Sequence, residues 1–211
     1  GDGSSQNPWT LKEACEQCEP GMIIGVKAGV YVGQQAMGYV NEDGDQANHV
    51  AFHCRVSGTE SKPIYFVAEH PAAYTLNQAE YTDLRSGATV NGFGWPVFGQ
   101  MGSNRPNVEY VHWIGMYSDA RAPNNKMWGD SNKEAYMTSF FGNGNYCSIQ
   151  KCRLIRDNEL EPISNIGNKS FIRIERNNDS VFCDNHMSIV GSNQGVNNSC
   201  ITLYFSNRVK I

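Results

Sequence analysis

Two β-rich stretches carry the side chains best suited to chemistry: Lys151, Arg153 and Arg156 on one, Arg173, Glu175 and Arg176 on the next. Alternation around Ile172 and Ile174 sets Arg173 and Glu175 outward together. Outward cations repeated along a surface would bind an anionic sugar chain, whereas on a plain solvated face they would make cross-strand ion pairs. Asn41-Glu-Asp-Gly-Asp gathers oxygens for a hard cation through Asp43 and Asp45. It departs from the EF-hand pattern, because the required glycine position is Gln46 and the closing position is Phe52. Trp95, Tyr110, Trp113, Tyr117 and Trp128 supply flat faces that can stack on sugar rings or fill a core.

Other constellations are weaker. His49 and His53 share a strand face, but no cysteine or carboxylate beside them completes a zinc set. Cys15-Glu-Gln-Cys18 has redox-pair spacing, yet it sits within an expected helix and is better read as a capping contact or structural disulfide. Seven cysteines leave at least one unpaired within the chain. Sequons begin at Asn168, Asn178 and Asn197. No nucleophile-elbow, phosphate-loop or His-Glu-x-x-His pattern occurs.

The elements that must hold these groups follow from composition. The 211 residues contain 21 Gly and 22 Asn but six Leu, a balance that disfavours long helices and favours short strands joined by tight turns. A net charge of -4 supplies no broad cationic surface, so nucleic acid is not an expected partner. No apolar run approaches the roughly 20 residues of a membrane-spanning helix, and no membrane insertion is expected.

Thr10 and Glu13 form a capping-box signature ahead of one short helix, whose apolar stripe would be Leu11, Ala14, Cys15 and Cys18. Pro20-Gly21 ends it and strands take over. Runs at 22–32, 49–56, 63–70 and 108–114 have strand character. Beyond residue 140, Asn145, Asn168 and Asn197 each lead a β-rich segment. The pattern suits successive coils of a parallel solenoid in which stacked Asn side chains continue the hydrogen-bond ladder; an irregular sandwich is the competing architecture.

Gly1-Asp-Gly-Ser-Ser-Gln-Asn-Pro-Trp-Thr-Leu-Lys-Glu-Ala, then Pro20-Gly-Met-Ile-Ile and Lys27-Ala-Gly-Val-Tyr, resemble the opening of right-handed parallel β-helix proteins of the pectate-lyase-like superfamily, especially its alginate- and chondroitin-lyase-like branch. Ser61 to His70 and Asn107 to Gly115 resemble the following coils. The resemblance implies an all-β, right-handed parallel β-helix with an N-terminal capping helix. It further implies β-elimination, in which Ca²⁺ neutralises a uronate carboxylate and a basic side chain takes the adjacent proton. Carried onto this chain, the catalytic candidates are Lys151, Arg153 and Arg173, the substrate-binding candidates Arg156, Arg176, Trp113 and Trp128, and the metal candidates Asp43 and Asp45.

We therefore expect a single β-helix domain over 1–211, with the cap at 1–20 and coils and loops at 21–211. The expected function is recognition or cleavage of an anionic polysaccharide at an extracellular, cell or virion surface. The rival is a non-catalytic module of a fibre, appendage or spike. For that rival, the β-rich run at 201–211 matters: a continuing parent chain or a self-associating neighbour would cover this coil edge.

Overall fold

A computed structural model describes residues 1–27, 29–33, 52–69, 88–92, 98–100, 108–119, 139–142, 144–157, 169–175, 177–190 and 198–211. The helix is Leu11–Gln17. Thr10 caps it as the sequence predicts: its Oγ1 accepts from the Glu13 N–H at 3.1 Å, while the Glu13 carboxylate accepts from the Thr10 N–H at 2.8 Å. Leu11, Ala14, Cys15 and Cys18 are buried, which makes the predicted apolar stripe the face that covers the first coil.

Among the described residues the strands form three parallel five-stranded sheets and one two-stranded parallel pair, Val108–Glu109 with Gly144–Asn145. The first stacks Ile23–Val26, Ile64–Ala68, Val111–Ile114, Ser148–Gln150 and Val181–Cys183. The second stacks Gly29–Gly33, Ala88–Gly92, Tyr117–Asp119, Arg153–Asp157 and His186–Val190. The third stacks Phe52–His53, Phe98–Gln100, Ser139–Gly142, Lys169–Glu175 and Asn198–Tyr204. Each coil visits the three sheets in turn, so the chain is an all-β parallel β-helix with a short N-terminal capping helix.

Register makes columns. In the first sheet Ile24, Phe66, Trp113, Ile149 and Phe182 lie opposite one another in successive strands. Phe66, Trp113, Ile149 and Phe182 are buried, and the Phe66 and Trp113 rings stack with centroids 4.3 Å apart. Cys147 and Cys152 are also buried core residues, and burial pushes the Cys152 thiol up to about 12.

The corners differ from the sequence expectation in an instructive way. The run at 108–114 is two strands, Val108–Glu109 and Val111–Ile114, divided at Tyr110 with φ 55°. Tyr146, Asp179 and Arg208 repeat the left-handed turn in later coils at φ 56°, 55° and 50°. None of the described non-glycine residues with positive φ is an Asn. Instead, Asn145, Asn178 and Asn207 each stand one residue before the turn, and their side chains form the inter-coil ladder.

In that ladder Asn207 Nδ2 donates to Asn178 Oδ1 at 3.2 Å and Asn178 Nδ2 donates to Asn145 Oδ1 at 3.1 Å. Asn145 Nδ2 ends it on Glu109 Oε1 at 2.8 Å. The steps are 36, 33 and 29 residues, so successive coils shorten. Asn-led stacking is therefore present and includes the anticipated Asn145, joined by Asn178 and Asn207; the anticipated Asn168 and Asn197 lie outside the described residues. The segment led by Asn145 runs into the first sheet, whereas Lys169–Glu175 and Asn198–Tyr204 belong to the third.

Candidate functional site

The outward residues of the first sheet form the densest described polar arrangement. Tyr65, His112, Ser148 and Val181 occupy one register column, and Val181 bridges in parallel to Lys210 in the next coil. At roughly 4.8 Å per step the column from Tyr65 to Lys210 extends roughly 19 Å. The Tyr65 and His112 rings stack with centroids 4.7 Å apart. Tyr65 and His112 are half-buried, which leaves part of each ring open to a ligand.

His112 Nδ1 lies 2.8 Å from Ser148 Oγ, and Gln150 Nε2 donates to the same oxygen at 2.8 Å. A serine hydroxyl has one proton to donate. Oγ accepts from Gln150, and in the arrangement that also uses its proton Ser148 O–H donates to His112 Nδ1, which is the tautomer with the neutral imidazole proton on Nε2. Burial also holds the imidazole below its ordinary value of 6.5, so it is predominantly neutral at neutral pH. In that tautomer Nε2–H is a donor of the kind that hydroxyl, ether and carboxylate oxygens accept from.

The Ser–His contact is not arranged as a hydrolase nucleophile. Ser148 is 1% exposed, and its oxygen is held by both Gln150 and His112. An attacking hydroxyl must reach a carbonyl carbon, and this one faces neighbouring side chains.

A second column flanks the sheet at the left-handed corner. Tyr110 and Tyr146 stack nearly parallel at 4.7 Å and 8°. Below them Arg208 Nη2 donates to Asp179 Oδ2 at 2.6 Å, and that pairing holds the Asp179 carboxyl below the usual carboxylate range. On the other margin Lys151 is exposed at its own left-handed corner, φ 53°, directly after Gln150.

These positions revise the expected basic ladder. Arg153 begins a strand of the second sheet, opposite Tyr117 and His186. Arg156 lies on the same strand opposite Ile189. Arg173 belongs to the third sheet, opposite Phe140 and Thr202. The two basic stretches therefore do not stack on adjacent coils of one sheet, because consecutive strands of a β-helix turn the corner into different sheets. Trp113 is corrected outright: it is 0% exposed and stacked on Phe66, a core ring with no face for a sugar. Arg176, Trp128, Asp43 and Asp45 lie outside the described residues.

Among the described residues no three His, Cys, Asp or Glu side chains converge as metal ligands, and no helix is long and apolar enough to cross a membrane. Cys15, Cys18, Cys54, Cys147, Cys152 and Cys183 are free thiols, and of the two readings of Cys15 and Cys18, capping contact or disulfide, their burial in the helix face that covers the first coil is the capping contact. Of the sequons, Asn178 is engaged through both side-chain atoms in the ladder, while Asn168 and Asn197 lie outside the described residues.

The Tyr65–His112–Ser148–Gln150 arrangement escaped the sequence reading. Alternation in 63–70 and 108–114 identified the strands, but the partner of each outward residue depends on unequal coil lengths.

No family model matches the chain, and no curated protein matches it. Among solved structures, it is similar to one described as a rhamnogalacturonan lyase, at 13% identity and a TM-score of 0.39. The match covers 97% of this chain and 48% of that one, so this chain spans about half the length of the matched protein.

Proposed function

We propose that the outer face of the first sheet binds an anionic polysaccharide laid along the β-helix axis. The observation that carries this reading is the Tyr65–His112–Ser148–Gln150 column. It combines a ring stack, a half-buried imidazole hydrogen-bonded to Ser148 and a fixed polar floor. Lys210 at the end of the column and Lys151 at its margin are both exposed and supply the cations that a uronate chain requires. Cleavage by β-elimination is the finer proposal, with Lys151 the member of the set Lys151, Arg153 and Arg173 that borders this face. Ca²⁺ would assist by neutralising the uronate carboxylate, and an extracellular or surface setting would supply such polymers.

Titration with oligomers of alginate, pectate and chondroitin-type glycans tests binding, and ultraviolet absorbance of the unsaturated product with Ca²⁺ tests cleavage. Tyr65→Ala and His112→Ala should each weaken binding about tenfold, equivalent to about 1.4 kcal/mol. Unchanged affinity in both variants would remove this face as the site.

The exposed side chains of the last described coil favour a second reading, assembly through coil edges. Leu203, Phe205 and Ile211 are 47%, 82% and 66% exposed. Sedimentation velocity across a concentration series should show self-association under this reading, and a constant monomeric coefficient would exclude it.

A further inference from the structure

Beneath the cap, Cys18 and Cys54 form a sulfur pair that polysaccharide binding does not use. Cys18 is the C-cap residue of the helix, and Cys54 directly follows Phe52–His53, the first strand of the third sheet. Their sulfurs are 3.7 Å apart and both residues are buried. The same junction is tied by the backbone, where Arg55 N–H donates to Cys15 O at 3.2 Å. Cys15 belongs to the same buried group, but the Cys18 thiol reaches the Cys15 carbonyl oxygen at 3.9 Å, whereas its sulfur contact is with Cys54.

We propose that Cys18 and Cys54 are a disulfide site that fastens the capping helix to the first coil under oxidising conditions. The separation is a thiol contact, and bond formation requires the two sulfurs to close to about 2.05 Å. The oxidant is a low-molecular-weight disulfide. Cys18, as thiolate, attacks one of its sulfurs and releases the other half as a thiol, forming a mixed disulfide on Cys18. Cys54 gives its proton to solvent and attacks the Cys18 sulfur, displacing the second thiol. Two protein thiols are thereby oxidised and one external disulfide is reduced to two thiols.

Within this proposal Cys18 takes the attacking role. The sulfur contact favours the Cys18 thiolate, while the same contact together with burial pushes up the Cys54 thiol, which also donates to Val56 O at 3.3 Å. Access arises when the seven-residue helix opens from the coil or before it docks. Once formed, the bond closes a span of 36 residues, between the cap and the end of the first strand in the third sheet. Restricting that span in the unfolded chain raises stability.

The test uses the full chain, reduced and then incubated natively with oxidised glutathione. After quenching with N-ethylmaleimide, peptides are mapped by mass spectrometry without reduction. A linked Cys18–Cys54 peptide pair is expected, with Tm raised by about 10 °C and restored by dithiothreitol. Cys15→Ser should keep both results and Cys18→Ala should lose both. Complete alkylation of Cys18 and Cys54 after oxidation, or a Cys15–Cys18 link in their place, would overturn the proposal. The map of the unsubstituted chain decides the matter even where a variant fails to fold.

Discussion

Within the first sheet, alternate residues of the same strands build two columns of opposite chemistry. The inner column of Phe66, Trp113, Ile149 and Phe182 is dry and closely stacked. The outer column of Tyr65, His112, Ser148, Val181 and Lys210 interleaves rings, hydroxyl, amide contact and charge. A strand's two-residue period separates the columns completely, so substitutions one residue apart should act on different properties. Trp113 and His112 are the sharpest pair: one should govern stability and the other ligand contact.

The largest effect is expected from Trp113→Ala. It removes the largest fully buried side chain among the described residues and the Phe66 stacking partner, at a cost of about 3–5 kcal/mol. Urea unfolding measures this, and Tyr65→Ala, from the half-buried outer column, provides the control at about 1 kcal/mol or less. Equal losses in the two variants would break the division between inner and outer columns.

The corner ladder tests whether polar side chains also hold coils together. Asn145 Oδ1 accepts from both Asn178 N–H and Asn178 Nδ2 at 3.1 Å, and its own Nδ2 donates to Glu109. Asn145→Ala should therefore cost about 2–3 kcal/mol in urea unfolding, since it removes three bonds and leaves a half-buried donor without its acceptor. Asn207→Ala removes a single exposed rung and should cost about 0.5 kcal/mol or less. A smaller loss for Asn145 than for Asn207 would show that the ladder follows coil stacking instead of supporting it.

These same residues explain what the sequence made legible. Thr10 and Glu13 specified the cap because the capping box is local, complete within four residues and independent of the coils. The solenoid was legible from Asn and Gly enrichment and Asn-led strands, for the ladder sets Asn145, Asn178 and Asn207 beside three successive turns. The ladder's membership was not, because steps of 36, 33 and 29 residues carry no fixed period. Basic residues 151–156 and 173–176 looked adjacent because strand order was read as stacking order. In a β-helix the next strand in sequence lies around a corner, and the stacked neighbour comes a full coil later. Trp113 was misread for a related reason: its type suits a ligand as well as a core, and the column beneath it decides which.

The smallest and most selective effect concerns pH. His112 is held below its ordinary value of 6.5 by burial, and its described contacts are the Tyr65 ring and the Ser148 hydroxyl. Above about pH 7.5 the imidazole is neutral in both folded and unfolded chains and contributes almost no slope. As pH falls through 6.5 the unfolded chain binds the proton first, so the folded state loses stability relative to it. The loss levels off once pH passes below the folded value, where both states are protonated. His112→Gln should remove this component, so the stability difference between variant and wild type should shift in the variant's favour between pH 7.5 and pH 5 in urea titrations. Trp113→Ala removes no ionisable group, and its cost should be nearly constant across the same interval. Parallel pH profiles for wild type and His112→Gln would mean that the imidazole is solvated in the folded chain. The outer column would then lack the buried polar floor that distinguishes it from an ordinary solvent-facing strand.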